Sequence, residues 1–291
     1  MTWKRVATAV VLIPGVVALV LWTSTAVIAI ALAAIILLAL FEFFALGDAI
    51  GHRAYRFWTA TCALFLVFVQ YLAASGPPES LVLSSDRILG IGRTTFVRPV
   101  IHDVFFLFLI GVMILTLATK RPMVEALPAA GISSSALVLV ALPLTFAVRI
   151  HGMGFIGPYL LLFALIITWV GDTVAYFAGR AIGKHKFAPI LSPKKTWEGA
   201  IASFLSALLV AVVFARYINI SLPHLLGMAA VGNAAGQAGD LFESSFKRSA
   251  GVKDSGTLLP GHGGVLDRID ALILTIPVVW YYWIWIYLPT R

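Results

Sequence analysis

Residues 244–270, reading SSFKRSAGVKDSGTLLPGHGGVLDRID, concentrate charge in a chain that is 60% hydrophobic and only 12% charged. Lys247, Arg248, Lys253, Asp254, His262, Asp267, Arg268 and Asp270 all fall inside this run, and a long apolar stretch follows at once. Ionisable groups at a membrane boundary are costly, so a set this dense points to a site rather than to solubility. Carboxylates, lysines, arginines and a glycine turn are the inventory for metal-assisted chemistry on phosphates. Asp267 and Asp270 lie three apart, hence on one side of a helix, where they could hold a hard cation such as Mg²⁺ together with substrate phosphates. The competing reading is helix capping, with acids in a first turn offsetting the dipole. Ahead of them run Leu259, Pro260, Gly261, His262, Gly263 and Gly264. Proline and glycines break any helix, and N–H groups free of side chains can approach phosphate oxygens closely. A helix starting near Val265 would aim its positive end back at this loop. His262 reads as a phosphate or backbone contact, the alternative being a structural histidine.

Two further patterns converge on the same chemistry. Asn233, Gln237, Asp240, Ser244 and Lys247 are spaced by three and four, which places them on one helical face. Ala234, Ala235, Ala238, Leu241 and Phe242 occupy the other. Such a stripe in a membrane helix should face the bundle interior or a wet cavity; the alternative is an interhelical hydrogen-bonding seam. Gly227, Gly232, Gly236 and Gly239 permit close approach of another helix or a ligand. A second basic run holds Arg180, Lys184, Lys186, Ser192, Lys194 and Lys195. It suits a polyphosphate or a lipid phosphate, or, as an alternative, anionic headgroups. Asp172, just upstream inside an apolar stretch, needs a partner, for which Arg180 or a lysine of this run serves. No GxxxxGK[ST], HExxH or GxSxG motif occurs, and no Cys/His zinc set.

The elements that must position these residues are membrane helices. An average soluble domain carries about 25% charged residues, and the apolar runs here are continuous rather than alternating, which disfavours a β-barrel. Nine spans are expected, at 6–22, 26–46, 57–74, 104–119, 134–148, 157–179, 199–217, 223–241 and 269–288. The first is read as a retained span, not a cleaved signal. The polar stretch 75–103 carries no chemical motif. The net charge of +8 is attributed to basic loops facing anionic lipid and cytoplasm, not to nucleic acid. The single cysteine, Cys62, is read as packing. With nine spans, the loops after the sixth and eighth share a compartment and can meet. Residues 1–150 are expected to form scaffold spans, and 151–291 the catalytic half.

Residues 244–270 resemble the signature of the phosphatidate cytidylyltransferase, or CDP-diacylglycerol synthase, family: S-x-[apolar]-K-R, then K-D, then H-G-G-[apolar]-x-D-R-[apolar]-D. Ser244, Lys247, Arg248, Lys253, Asp254, His262, Gly263, Gly264, Asp267, Arg268 and Asp270 fall on it. The segments from Gly171 and Asp172 through Ser192, Lys194, Lys195 and Gly199, and from Gly236 to Asp240, are family-like as well. The resemblance implies a multi-pass, all-α, dimeric enzyme of the inner membrane, working at the cytoplasmic face. It implies transfer of the cytidylyl group from CTP to phosphatidic acid, giving CDP-diacylglycerol and pyrophosphate, with Mg²⁺ and a second cation such as K⁺. On this reading Asp240 and Asp267 bind metal, with Asp254 or Asp270 assisting. Lys247, Arg248, Lys253 and Arg268 hold CTP phosphates, and Ser192, Lys194 and Lys195 meet the lipid phosphate or pyrophosphate. Asp172, Ser244, His262, Gly263 and Gly264 complete the substrate-binding set. The neighbouring alternatives are CTP-using enzymes on other lipids: an ether-lipid cytidylyltransferase or a polyprenol kinase.

Overall fold

The computed structural model describes residues 2–75, 101–256, 258 and 263–290, with side chains from residue 12 onward. His262 and most of the stretch 75–103 therefore lie outside the described residues. The chain runs through α1 (Thr2–Trp22), α2 (Thr25–Ala49), α3 (Arg56–Ser75), α4 (Ile101–Ala118), α5 (Met123–His151) and α6 (Ile156–Ile182). A short antiparallel hairpin follows, β1 (Lys186–Ala188) paired with β2 (Ser192–Thr196). Then come α7 (Trp197–Phe214), α8 (Leu222–Ser249) and α9 (Leu266–Thr290). Each of the nine expected spans falls on one of these helices. The architecture is all-α and multi-pass: α2 to α7 and α9 have the length and apolarity to cross a membrane. The outward faces agree, since Phe106, Leu109, Met113 and Leu117 of α4 are largely exposed, as side chains bathed in lipid are.

Local chemistry accounts for the ends and irregularities. Thr196 caps α7, its hydroxyl accepting from Gly199 N–H at 3.2 Å. Within α5, Pro143 lacks an N–H and its ring crowds the preceding turn. The helix widens into a π turn over Ala136–Ala141, with Leu142 N–H bonding Leu137 C=O. The α9 helix begins as a short turn, Leu266–Ile269, and passes through Asp270 and Ala271 before continuing at Leu272. The Asp270 carboxylate accepts from Ala271 N–H at 2.7 Å across that junction.

The stretch 183–196, read as a plain basic loop, holds the hairpin. Lys186 pairs with Thr196 and Ala188 with Ser192. The ring of Phe187 meets Trp197 edge-on at 4.6 Å, and Glu198 accepts from the His185 backbone and ring. The backbone carrying the lysines of β2 is thus held in register.

The glycines of α8 let α9 in. A methyl at Gly236 would stand 2.6 Å from Thr275 Oγ1, and one at Gly239 would stand 2.8 Å from the Asp270 carbonyl. Real Cβ atoms do not approach that closely, so α8 and α9 touch backbone to backbone at the level of Asp240 and Asp270. Thr275 adds a hydrogen bond to Gly232 C=O at 3.1 Å.

Candidate active site

The polar stripe of α8 faces inward, and it divides into two parts. Asn233 donates to Ser203 of α7 at 3.0 Å, while Gln237 donates to Asn233 at 2.7 Å and to Ala200 C=O at 3.2 Å. That upper part is an interhelical seam. Its packing leaves no room at Gly171, where a methyl would stand 2.6 Å from Asn233 Nδ2. The lower part, Asp240, Ser244 and Lys247, joins the charged cluster. The outward residues Ala234, Ala238 and Phe242 are exposed, as the spacing requires.

Lys247 is the hub of the cluster. Its ammonium lies 2.6 Å from Asp267 Oδ1 and 2.5 Å from Glu243 Oε2, with side-chain exposures of 8%, 6% and 4% for Lys247, Asp267 and Glu243. Asp267 is fully engaged: its other oxygen accepts from Gly264 N–H at 2.8 Å and Ser255 N–H at 3.0 Å. Glu243 is not. Neither of its oxygens accepts an aligned hydrogen bond among the described residues. Glu243 and Lys247 lie beyond the stretch 223–241 read as crossing the membrane. Burial pushes the Glu243 carboxyl up to about 7, against the pull of Lys247. Burial also works against the Lys247 ammonium, but Asp267 and Glu243 outweigh it and hold its pKa above the ordinary value.

The second ion pair joins the two basic regions. Lys195 Nζ of β2 lies 2.6 Å from Asp240 Oδ2, and Arg248 Nε donates to Leu191 C=O at 3.2 Å. The regions after α6 and at the end of α8 therefore meet. Asp172 of α6 is in electrostatic range of Asp240, Lys195 and Arg268. Its expected lysine partner is Lys195, while Asp240 adds a repulsion the spacing did not announce. Asp270 faces Asp240, Glu243 and Asp172, and Glu243 faces both Asp240 and Asp267. One cluster thus draws acids from α6, α8 and α9 and cations from β2, α8 and α9.

The remaining expected residues lie around it. Ser244 donates to Asp240 at 3.5 Å. Arg248 also bonds Val252 C=O at 3.0 Å and so ties down the loop after α8. Lys194, Lys253 and Asp254 are exposed, and Ser192 is half-buried on β2. Gly263 adopts φ +78°, a left-handed conformation that favours glycine. Of the loop 259–264 expected to cradle phosphate, residues 259–262 lie outside the described residues and Gly264 N–H already goes to Asp267, while Val265 and Leu266 N–H at the helix start go to Glu42. Gly264 makes room for a carboxylate of the protein itself, since a methyl there would collide with Glu42 Oε2.

Among the described residues, no three His, Cys, Asp or Glu side chains stand as a ready-made metal set. The donor chemistry nevertheless suits a hard cation. The acids Asp172, Asp240, Glu243, Asp267 and Asp270 outnumber Lys195, Lys247 and Arg268, and Glu243 keeps an orphaned buried oxygen. Oxygen-only donors select Mg²⁺-like ions. A cavity of about 1000 Å³ lies elsewhere, lined by Arg53, Arg56, Trp58 and Arg121.

Comparison with known proteins decides the family. The model of the Cytidylyltransferase family matches residues 3–286. The chain belongs to the cytidylyltransferase family. Proteins named phosphatidate cytidylyltransferase are similar to it. One from Haemophilus influenzae is 46% identical over 138 residues, covering 45% of this chain and 47% of that protein. One from Staphylococcus saprophyticus is 46% identical over 125 residues, covering 42% and 48%. One from Staphylococcus aureus is 44% identical over the same length and the same shares. The aligned region spans about half the length of these curated relatives.

Two residues of this site, Glu243 and Glu42, lie outside the set expected from the sequence. Glu243 stands three residues after Asp240 and four before Lys247, so the spacing of the stripe signalled it. Glu42 sits in the apolar run ALFEFFAL, about two turns before the end of α2. A lone carboxylate at membrane depth marks a functional position by default, and that signal was available.

Proposed function

We propose that this member of the cytidylyltransferase family transfers the cytidylyl group of CTP to phosphatidic acid, giving CDP-diacylglycerol and pyrophosphate. The observation that carries the reading is the pairing of Asp240 with Lys195 and of Asp267 with Lys247. Each acid already has a cation beside it, so arriving phosphates find positive groups and an arriving metal finds carboxylates. In the reaction a lipid phosphate oxygen forms a bond to the α-phosphorus of CTP, and the bond from that phosphorus to the bridging oxygen breaks, releasing pyrophosphate. No side-chain nucleophile is needed.

The chain's own residues gather and orient two polyanions that otherwise repel. Lys195 on the hairpin and Arg268 on α9 flank the acids from opposite elements and take the phosphates between them. Lys194, Ser192 and Lys253 on the exposed rim meet the lipid phosphate or the departing pyrophosphate. Arg248 holds the two loops together through Leu191 and Val252. Asp240 and Asp267 would hold Mg²⁺, with Asp254 or Asp270 assisting and K⁺ as a second cation. The metal, when bound, neutralises phosphate charge. The reading includes a homodimer in the plasma membrane with the site open to the cytoplasm, which the basic loops at this end support.

The test is detergent-purified protein given labelled CTP and phosphatidic acid, with and without Mg²⁺, with products identified by mass. The expected result is CDP-lipid plus pyrophosphate, lost on chelation. A lipid monophosphate with CDP release would overturn it in favour of a lipid kinase, and turnover unchanged by chelation would remove the metal.

A further inference from the structure

Glu42 lies in the last third of α2, in the half of the chain expected to be scaffold, and is 5% exposed. Its partners are all at the other end of the sequence. Oε2 accepts from Ser255 Oγ and from Leu266 N–H, and Oε1 accepts from Val265 N–H, each at 2.8 Å. Methyl groups on Gly256 and Gly264 would run into the same carboxylate. Ser255, Gly256 and residues 264–266 are therefore arranged around a group that α2 supplies. Asp267 grips the same turn from inside, through Gly264 and Ser255 N–H. Three successive amides at the start of α9 are shared between the two carboxylates, Gly264 to Asp267 and the next two to Glu42.

A buried carboxylate is a poor device for stability alone. Taking it out of water is costly, and an apolar side chain of similar volume in such a place is often neutral or stabilising. What a carboxylate supplies is direction: it fixes N–H groups at set positions, and the start of a helix favours its charge. We infer that Glu42 is a positioning residue for the reaction, a clamp from α2 that fixes Ser255 and the turn 264–266 and so holds Asp267 against Lys247. This rests on the cytidylyl-transfer reading for its kinetic consequences, but not for its structural one. It also makes the N-terminal half part of the working site.

The test compares wild type, Glu42→Gln and Ser255→Ala as full-length protein in detergent, by hydrogen exchange, thermal unfolding and Mg²⁺ titration of activity. Glutamine keeps the size of Glu42 but turns an NH₂ group towards N–H donors. For Glu42→Gln, exchange at Ser255 and residues 264–266 should rise at least about tenfold, while α6 and α8 keep wild-type exchange. The kcat should fall at least about tenfold, with the half-saturating Mg²⁺ concentration raised and the unfolding temperature little changed. Ser255→Ala, which removes one of three bonds, should show the same changes at smaller size. Unchanged exchange at those amides in Glu42→Gln overturns the clamp. So does a lowered unfolding temperature with kcat and Mg²⁺ response intact, because that is a merely structural role. Should the wild type make no CDP-lipid, the proposed reaction fails, and the exchange measurement alone still decides whether Glu42 positions the loop.

Discussion

Replacing Asp267 with Ala is expected to remove most turnover, at least about 100-fold in kcat, or ~2.7 kcal/mol of transition-state stabilisation. The residue is 6% exposed at its side chain and satisfies Lys247 and two backbone amides at once. Alanine therefore takes away a proposed metal oxygen, frees Lys247 from one of its anions and orphans two N–H groups. Asp267→Asn separates these effects, since the amide keeps the volume and can still accept from one N–H. The asparagine variant should lose activity nearly as fully while unfolding closer to the wild-type temperature. Near-wild-type CTP:phosphatidate turnover in a folded Asp267→Ala protein would contradict the assignment.

The largest stability effect is expected at Lys247. Its ammonium is enclosed with Glu243 and Asp267. Removing one partner of a buried ion set leaves uncompensated charge, which costs about 3–5 kcal/mol. Lys247→Met keeps the apolar stem and deletes only the charge. Its unfolding temperature in detergent should drop by several degrees, and Glu243→Gln added to it should recover part of the loss, because the orphaned carboxylate is then neutral. A melt indistinguishable from wild type would show that the ion set is dispensable.

The site was legible in the sequence where its residues share one helix. The spacing of Asn233, Gln237, Asp240, Ser244 and Lys247 determines a face whatever the tertiary structure, and that face does turn inward. The two basic regions do meet, through Lys195 with Asp240 and Arg248 with Leu191, as the expectation that they share a compartment allowed. What distance in sequence hides was not legible. Glu42 finds its partners more than two hundred residues away, and no local spacing encodes that. Gly264 looked like a place for phosphate to approach, and a glycine reads the same whether the close neighbour is substrate or a carboxylate from α2. The 183–196 hairpin was missed because SPKKT lacks the alternation of a half-buried strand. The division of the α8 stripe into seam and site depends on Ser203 and Ala200 of α7, which no reading of α8 alone contains.

The account turns on Asp240 and Asp267 acting as one cation site. Mn²⁺ titrated into the purified full-length protein and followed by electron paramagnetic resonance, with and without CTP, measures this directly. The prediction is Mn²⁺ bound by wild type, more tightly with CTP, and lost in both Asp240→Asn and Asp267→Asn. Wild-type Mn²⁺ binding in both variants would contradict it.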